Sequence, residues 1–166
     1  IVRLVGSEMC IRDRNIVFMS KKKILIVNGP NINLLGQREK SVYGELTYKA
    51  LKTKLIKYSR KKNLDITFFQ SNYEGEIIDT IQAARNKKDA IIINAAGYTH
   101  TSIAILDSLR SFTGLIYEVH ISNIYNREYY RRKSYISLIS SGVICGLGIL
   151  GYEIAIDAVS LNNNNI

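Results

Sequence analysis

The chain has two histidines, His100 and His120, and each stands where an apolar run gives way to small and polar residues. The second lies in "YEVHISNIYNREYYRR" (117–132). Side chains two apart on a strand point to the same side, so Glu118 and His120 are expected as neighbours. A carboxylate beside an imidazole fixes its tautomer and favours its protonated form, which makes a general acid. Ser122 and the backbone N–H groups after the strand can hold a carboxylate. Arg127 and Arg131 are four apart in an expected short helix, so both can face one anion. The plainer alternative is a basic, solvated helix face.

The other histidine lies in "INAAGYTHTS" (93–102), where Ala95, Ala96 and Gly97 allow a ligand close to the backbone. His100 is expected at a helix opening, where free N–H groups favour negative charge; a cap or surface role is the alternative. Asn94 ends the preceding strand. In "NGPNINLLGQREKSVYG", Gly29 and Pro30 force a turn that presents Asn31, unless Asn31 serves turn chemistry alone. Arg38 and Tyr43 follow in a long irregular stretch of the kind that forms lids, although Tyr43 by itself reads as an aromatic loop anchor. Neither histidine has metal-ligand spacing, so no metal is expected. No glycine-rich nucleotide loop follows the first strand, and "GLGILG" (146–151) reads as close helix–sheet packing.

The elements that must position these groups alternate. Strands are expected at 23–28, 65–70, 89–95, 114–122 and 142–146, as apolar or β-branched runs. Between them, helices are expected at 44–63, 74–88 and 99–112, the last capped by Thr99 or Thr101; a short basic helix follows the fourth strand, and 147–161 closes the chain. Leu46, Ala50, Leu51, Leu55 and Tyr58 share one face of the first helix. Continuous apolar strands alternating with helices mean an α/β fold with a parallel sheet covered on both faces. Five strands suggest the flavodoxin-like order 2-1-3-4-5, with ligand at the carboxyl ends of the strands. Functional groups should then follow Asn28, Asn94 and Glu118.

With 166 residues and 46% hydrophobic residues, the chain suits one globular domain rather than disorder. No run of about 18 apolar residues is present, so no spanning helix and no membrane partner are expected. The net charge of +9 could serve nucleic acid, a membrane surface or small anionic substrates. Much of it sits in Lys49, Lys52, Lys54, Lys57, Arg60, Lys61 and Lys62, which read as a solvated helix face. Cys145 is expected in the core; it and Cys10 form no disulfide framework, in keeping with a reducing cytoplasm. Residues 1–20 are a poor signal peptide and a poor first element. Their stretch "LVGSEMCIRDR" resembles a translated sequencing-adapter remnant, which puts the native start at Met19. The expected domain is 21–161, and the asparagine-rich 162–166 is a frayed tail.

Taken together, "NGPNINLLGQRE", "VYG", "QSNYEGEIID", "INAAGYTHTS", "EVHISN", "REYYRRKSY" and "GVICGLGILGY" resemble type II 3-dehydroquinate dehydratases from about Ile24 to Tyr152, in the family's order and spacing. The resemblance implies a cofactor-free trans elimination of water from 3-dehydroquinate, in the shikimate pathway, through an enolate. It implies Tyr43 as the base, with Arg38 favouring its phenolate, and Asn31 as stabiliser of the enolate through an ordered water. His120 becomes the general acid and Glu118 its orienting partner. Asn94, His100 and Arg131 become substrate contacts, with Ile121 and Ser122 gripping the carboxylate. Asp107 is expected to reach a neighbouring subunit's site in a homo-oligomer of trimers built into a dodecamer. Four residues depart from the family pattern: Lys40 for proline, Tyr73 for histidine, Ala96 for glycine and Leu106 for arginine. The competing reading is a non-enzymatic, flavodoxin-like binding or regulatory module with a basic surface; "NGPN" after the first strand argues against a phospho-receiver, which needs acidic residues there.

Overall fold

The computed structural model describes residues 21–37 and 46–162. Arg38, Lys40 and Tyr43, the leader 1–20 with Cys10, and the tail beyond 162 lie outside the described residues. Five strands form one parallel sheet: β1 (Lys23–Asn28), β2 (Asp65–Gln70), β3 (Ala90–Asn94), β4 (Leu115–His120) and β5 (Gly142–Cys145). Their order is β2-β1-β3-β4-β5, as expected. Four helices cover it: α1 (Tyr48–Lys61), α2 (Glu74–Ala84), α3 (Ile103–Arg110) and α4 (Leu150–Leu161).

The alternation of strand side chains divides the core into two layers. Ile24 and Ile26 of β1, Ala90 and Ile92 of β3, and Tyr117 and Val119 of β4 pack against Leu51 and Leu55 of α1 and Ala155, Ile156 and Val159 of α4. Leu25 and Val27, Ile91 and Ile93, and Ile116 face the opposite way, onto Ile77 and Ile81 of α2 and Ile105 and Leu109 of α3. A continuous apolar run is what such a doubly covered strand requires. Gly151 confirms the tight packing read from "GLGILG": a Cβ there would lie 3.3 Å from both Ile144 and Val119.

Lysines of α1 and of its C-cap turn toward α4 as well as outward. Lys54 pairs with Glu153 at 2.8 Å and Lys62 with Asp157 at 3.0 Å, and the Tyr58 hydroxyl donates to Asp157 at 2.8 Å. Several details differ from the sequence reading. α2 ends at Ala84 because Arg85 leaves the helix and Asn86 adopts a left-handed φ of 59°. α3 begins at Ile103, capped by Ser102, whose hydroxyl accepts from the Ile105 N–H at 2.8 Å; neither Thr99 nor Thr101 caps it. The expected basic helix after β4 is instead three 3-10 turns, Ile124–Asn126, Tyr129–Arg131 and Ile136–Leu138. The Asn123 side chain accepts from the Tyr125 N–H and starts a turn where a helix would have continued. Cys145, expected in the core, is half-buried on the edge strand.

On the layer facing α1 and α4, the strand ends turn polar. The buried Tyr152 hydroxyl donates to Asn28 Oδ1 at 2.6 Å and accepts from Asn94 Nδ2 at 2.9 Å. Burial pushes the Tyr152 phenol well up, so it stays protonated and donating. Replacing Tyr152 with phenylalanine would strand both amide groups, a loss of about 1–3 kcal/mol of stability. Urea unfolding should show this as a lower midpoint at unchanged slope, and an unaltered midpoint would mean that the two asparagines find other partners.

Candidate active site

The chain leaving β1, β3 and β4 encloses a cavity of about 180 Å³ at the carboxyl ends of the strands. Its wall combines Pro30, Asn31 and Ile32 after β1 with Asn94, Ala96, Gly97 and His100 after β3. The third side runs from His120 through Ile121, Ser122 and Ile124 to Arg127 and Arg131. The open-sheet rule located this place from the strand pattern alone.

The turn after β1 is built by backbone approach. A Cβ on Gly29 would sit 2.4 Å from the Ala95 carbonyl oxygen, so only glycine fits there. Its N–H donates to the Asn94 carbonyl at 2.8 Å, which ties the β1 and β3 loops together. Asn31 follows with φ 66°, a left-handed conformation that asparagine tolerates. Its N–H donates to Asn72 Oδ1 at 2.9 Å. Gln70 in turn donates to the Gly29 carbonyl at 3.3 Å and to Asn72 at 3.2 Å, so the end of β2 buttresses the turn.

After β3, Asn94 is nearly fully buried, and its side chain accepts from the Ala96 N–H at 3.2 Å while donating to Tyr152. Ala96 has φ 52° and opens the 3-10 turn Ala96–His100. His100 therefore closes this turn instead of opening a helix, and a carbonyl fixes it: Nδ1–H donates to Lys133 O at 2.7 Å. Burial lowers its pKa, with the charges of His120 and Arg131 adding to the effect against the Lys133 bond. A neutral ring held this way offers Nε2 as an acceptor for a ligand hydroxyl.

Beneath the cavity lies an acid–base pair. His120 Nε2–H donates to Glu118 Oε1 at 2.8 Å, which leaves Nδ1 as the ring nitrogen free for a ligand. Glu118 is fully buried. Burial alone would raise its pKa, but bonds from His120, Ser134 and Thr99, with the charge of His120, hold the carboxyl below its usual range. The His100 and His120 rings stack, 6.4 Å between centroids and 13° between planes. At the mouth, Arg127 and Arg131 share Glu128, at 3.5 and 3.2 Å. They meet there because two 3-10 turns bring them together, not through a helical i,i+4 spacing.

Of the residues singled out from sequence, Asn31, Asn94, His100, His120, Ile121, Ser122 and Arg131 line one cavity, with Glu118 behind His120. Asp107 does not join it; its side chain is 60% exposed and pairs with Arg110 at 3.0 Å. Thr99, weighed only as a cap, and Ser134, present in "RRKSY" without a role, both bond to Glu118. No spacing rule could have found that contact, because the two residues lie on separate loops.

The family model for dehydroquinase class II matches residues 22–160. The 3-dehydroquinate dehydratase of Clostridium botulinum (strain Loch Maree / Type A3) is 50% identical over 143 residues, covering 86% of this chain and 97% of that protein. The crystal structure of the type II dehydroquinase from Butyrivibrio crossotus superposes with a TM-score of 0.83 at 46% identity, covering 84% of this chain and 98% of that one. That from Propionibacterium acnes gives a TM-score of 0.83 at 39% identity, over 86% and 98% of the two chains. The chain belongs to the class II dehydroquinase family.

Ala96 is the departure that the structure explains most directly. A left-handed alanine is strained by about 1–2 kcal/mol, while glycine gives back about 0.4–1 kcal/mol through the unfolded chain. Ala96→Gly should therefore raise stability by up to about 1 kcal/mol, and Ala96→Val should lower it. Thermal unfolding of the two variants decides the matter; a lower midpoint for Ala96→Gly would mean that the turn is not strained.

Proposed function

We propose that this chain dehydrates 3-dehydroquinate to 3-dehydroshikimate and water, as a hydro-lyase of the shikimate pathway. Membership of the family supports the reaction, and the observation that carries the chemistry is the buried Glu118–His120 pair at the floor of a cavity edged by arginines. A buried carboxylate against an imidazole is suited to giving a proton to a leaving hydroxyl. Two guanidinium groups at the mouth suit a carboxylate substrate.

In this reading the Tyr43 phenolate removes a proton from the carbon next to the ketone. Arg38 supplies the positive charge that favours the phenolate. Both assignments rest on the motif. Negative charge then builds on the ketone oxygen, and Asn31 stabilises it at the turn after β1. His120 Nδ1 delivers a proton to the hydroxyl on the adjacent carbon, the C–O bond breaks, and water leaves as the conjugated double bond forms. Tyr43 ends protonated and His120 neutral, and one proton returned through solvent resets the pair. Asn94 and the Nε2 acceptor of His100 orient the ring hydroxyls, while Ile121, Ser122 and Arg131 hold the carboxylate. No metal or cofactor takes part.

Asp107, exposed on α3, is assigned to the active site of a neighbouring subunit in trimers that build a dodecamer. The enzyme is assigned to the cytoplasm. Among the described residues no helix is long and apolar enough to cross a membrane. The pairing of Lys54 and Lys62 with α4 supports a structural use of the basic helix rather than nucleic-acid binding.

The test adds 3-dehydroquinate to the purified chain and follows ultraviolet absorbance of the conjugated enone. A rise is expected. Tyr43→Phe should lower kcat by about 10²- to 10⁴-fold, the range for loss of a general base, with substrate binding retained. Turnover like the native enzyme's in that variant would reassign the base, and no rise from the folded native chain would overturn the function. Borohydride with substrate should leave activity intact, because no lysine Schiff base forms.

A further inference from the structure

Three donors converge on a single oxygen of Glu118. His120 Nε2–H reaches Oε1 at 2.8 Å, the Thr99 hydroxyl at 2.8 Å and the Ser134 hydroxyl at 2.7 Å. The other oxygen, Oε2, is buried and has no hydrogen-bond partner among the described residues. A carboxylate oxygen saturated by three donors has no room for a proton of its own, and a proton placed on Oε2 would find nothing to accept it.

The direction of the hydroxyl bonds is set by their surroundings. Ser134 Oγ accepts from the Ser137 N–H at 3.0 Å, so its one proton is left to donate to Glu118. Thr99 is fully buried, and its backbone carbonyl accepts from the Tyr135 N–H at 2.9 Å. The Lys133 carbonyl, one residue before Ser134, receives His100 Nδ1–H. One short segment, 133–135, thus fixes Thr99, Ser134 and His100 together.

Among the described residues, the other charged or titratable groups facing the His120 ring are His100, stacked beside it, and Arg127 and Arg131, across the cavity. None of them takes the proton from Nδ1: the arginines have no acceptor, and His100, whose Nε2 can accept, is stacked on the His120 ring rather than hydrogen-bonded to it and has a lowered pKa. The location of the pair's proton is therefore decided on the Glu118 side.

We propose that Thr99 and Ser134 are positioning residues that keep the proton of the Glu118–His120 pair on the imidazole by filling the carboxylate oxygen that would otherwise take it. This rests on the dehydratase reading for its consequence in turnover, but the proton's location can be read without turnover. With both hydroxyls in place a proton taken up by the pair is held as an imidazolium, ready to protonate the departing hydroxyl. Without them a neutral carboxylic acid beside a neutral imidazole becomes accessible, and the leaving group lacks its donor.

With only two histidines in the chain, ¹⁵N-histidine labelling gives a spectrum of two rings. In a pH series on the free native enzyme, the ring bonded to Glu118 should take up its proton as an imidazolium. Thr99→Val combined with Ser134→Ala should shift that ring toward the neutral pattern. It should also lower kcat by about 10- to 100-fold, the loss expected for hydrogen bonds to a charged group, with KM little changed. Ser134→Ala alone, which leaves the buried Thr99 in place, should show the same changes in smaller measure. Thr99→Ser and Ser134→Thr should restore both readouts. An imidazolium spectrum that persists in the double variant would overturn the proposal, even if kcat fell. A shifted spectrum in a chain that never turns over 3-dehydroquinate would uphold the proton assignment and overturn the functional reading alone.

Discussion

A carboxylate with no solvent contact must be balanced where it sits, and Glu118 imposes that demand on the whole carboxyl-terminal edge of the sheet. It lies in β4, beside β3 and ahead of three loops, so its partners have to come from elements far apart in sequence. Thr99 comes from the turn after β3, Ser134 from the segment past the arginine turns, and His120 from the end of its own strand. Removing one partner from a buried charge costs far more than the pair contributes on balance. The loops after β3 and β4 are therefore held to each other by an electrostatic requirement as well as by packing.

The two sides of the sheet solve the same problem differently. Below β4, on the layer facing α2 and α3, an ionised group is neutralised by an imidazole and hydroxyls. On the layer facing α1 and α4, Asn28, Tyr152 and Asn94 form a neutral chain of bonds. The apolar strands run out at these residues, and each polar side chain takes up where the apolar core stops. The cavity consequently has a firm floor on both layers. A firm floor suits a reaction whose charge develops at fixed positions.

The strand pattern was legible because doubly buried strands read as continuous apolar runs. The span 23–28 coincides with the buried β1, and 65–70 with β2, an edge strand marked by its β-branched and aromatic residues instead. Helix ends were less legible, because they depend on single residues leaving the helix, such as Asn86 in its left-handed conformation or Ser102 as a cap. The segment after β4 was misread as a helix. Its charged and aromatic residues suit a helix locally, and only the side-chain turn at Asn123 and the contour of the cavity select 3-10 turns. Within the site, His120, Glu118 and Arg131 could be found from type and spacing. Thr99, Ser134 and Tyr152 could not, because a hydroxyl carries no signal until the fold brings it against a buried acceptor.

The contact between Gly29 and the Ala95 carbonyl has a consequence for redesign. At that point the loops after β1 and β3 touch main chain to main chain, with no side chain between them that could be enlarged or trimmed. The spacing of these two loops is therefore set by backbone contact and not by an exchangeable side chain. Variation in what the pocket admits, whether by selection or by engineering, has to enter through lining side chains that do not hold the substrate, such as Ile32 and Ile124.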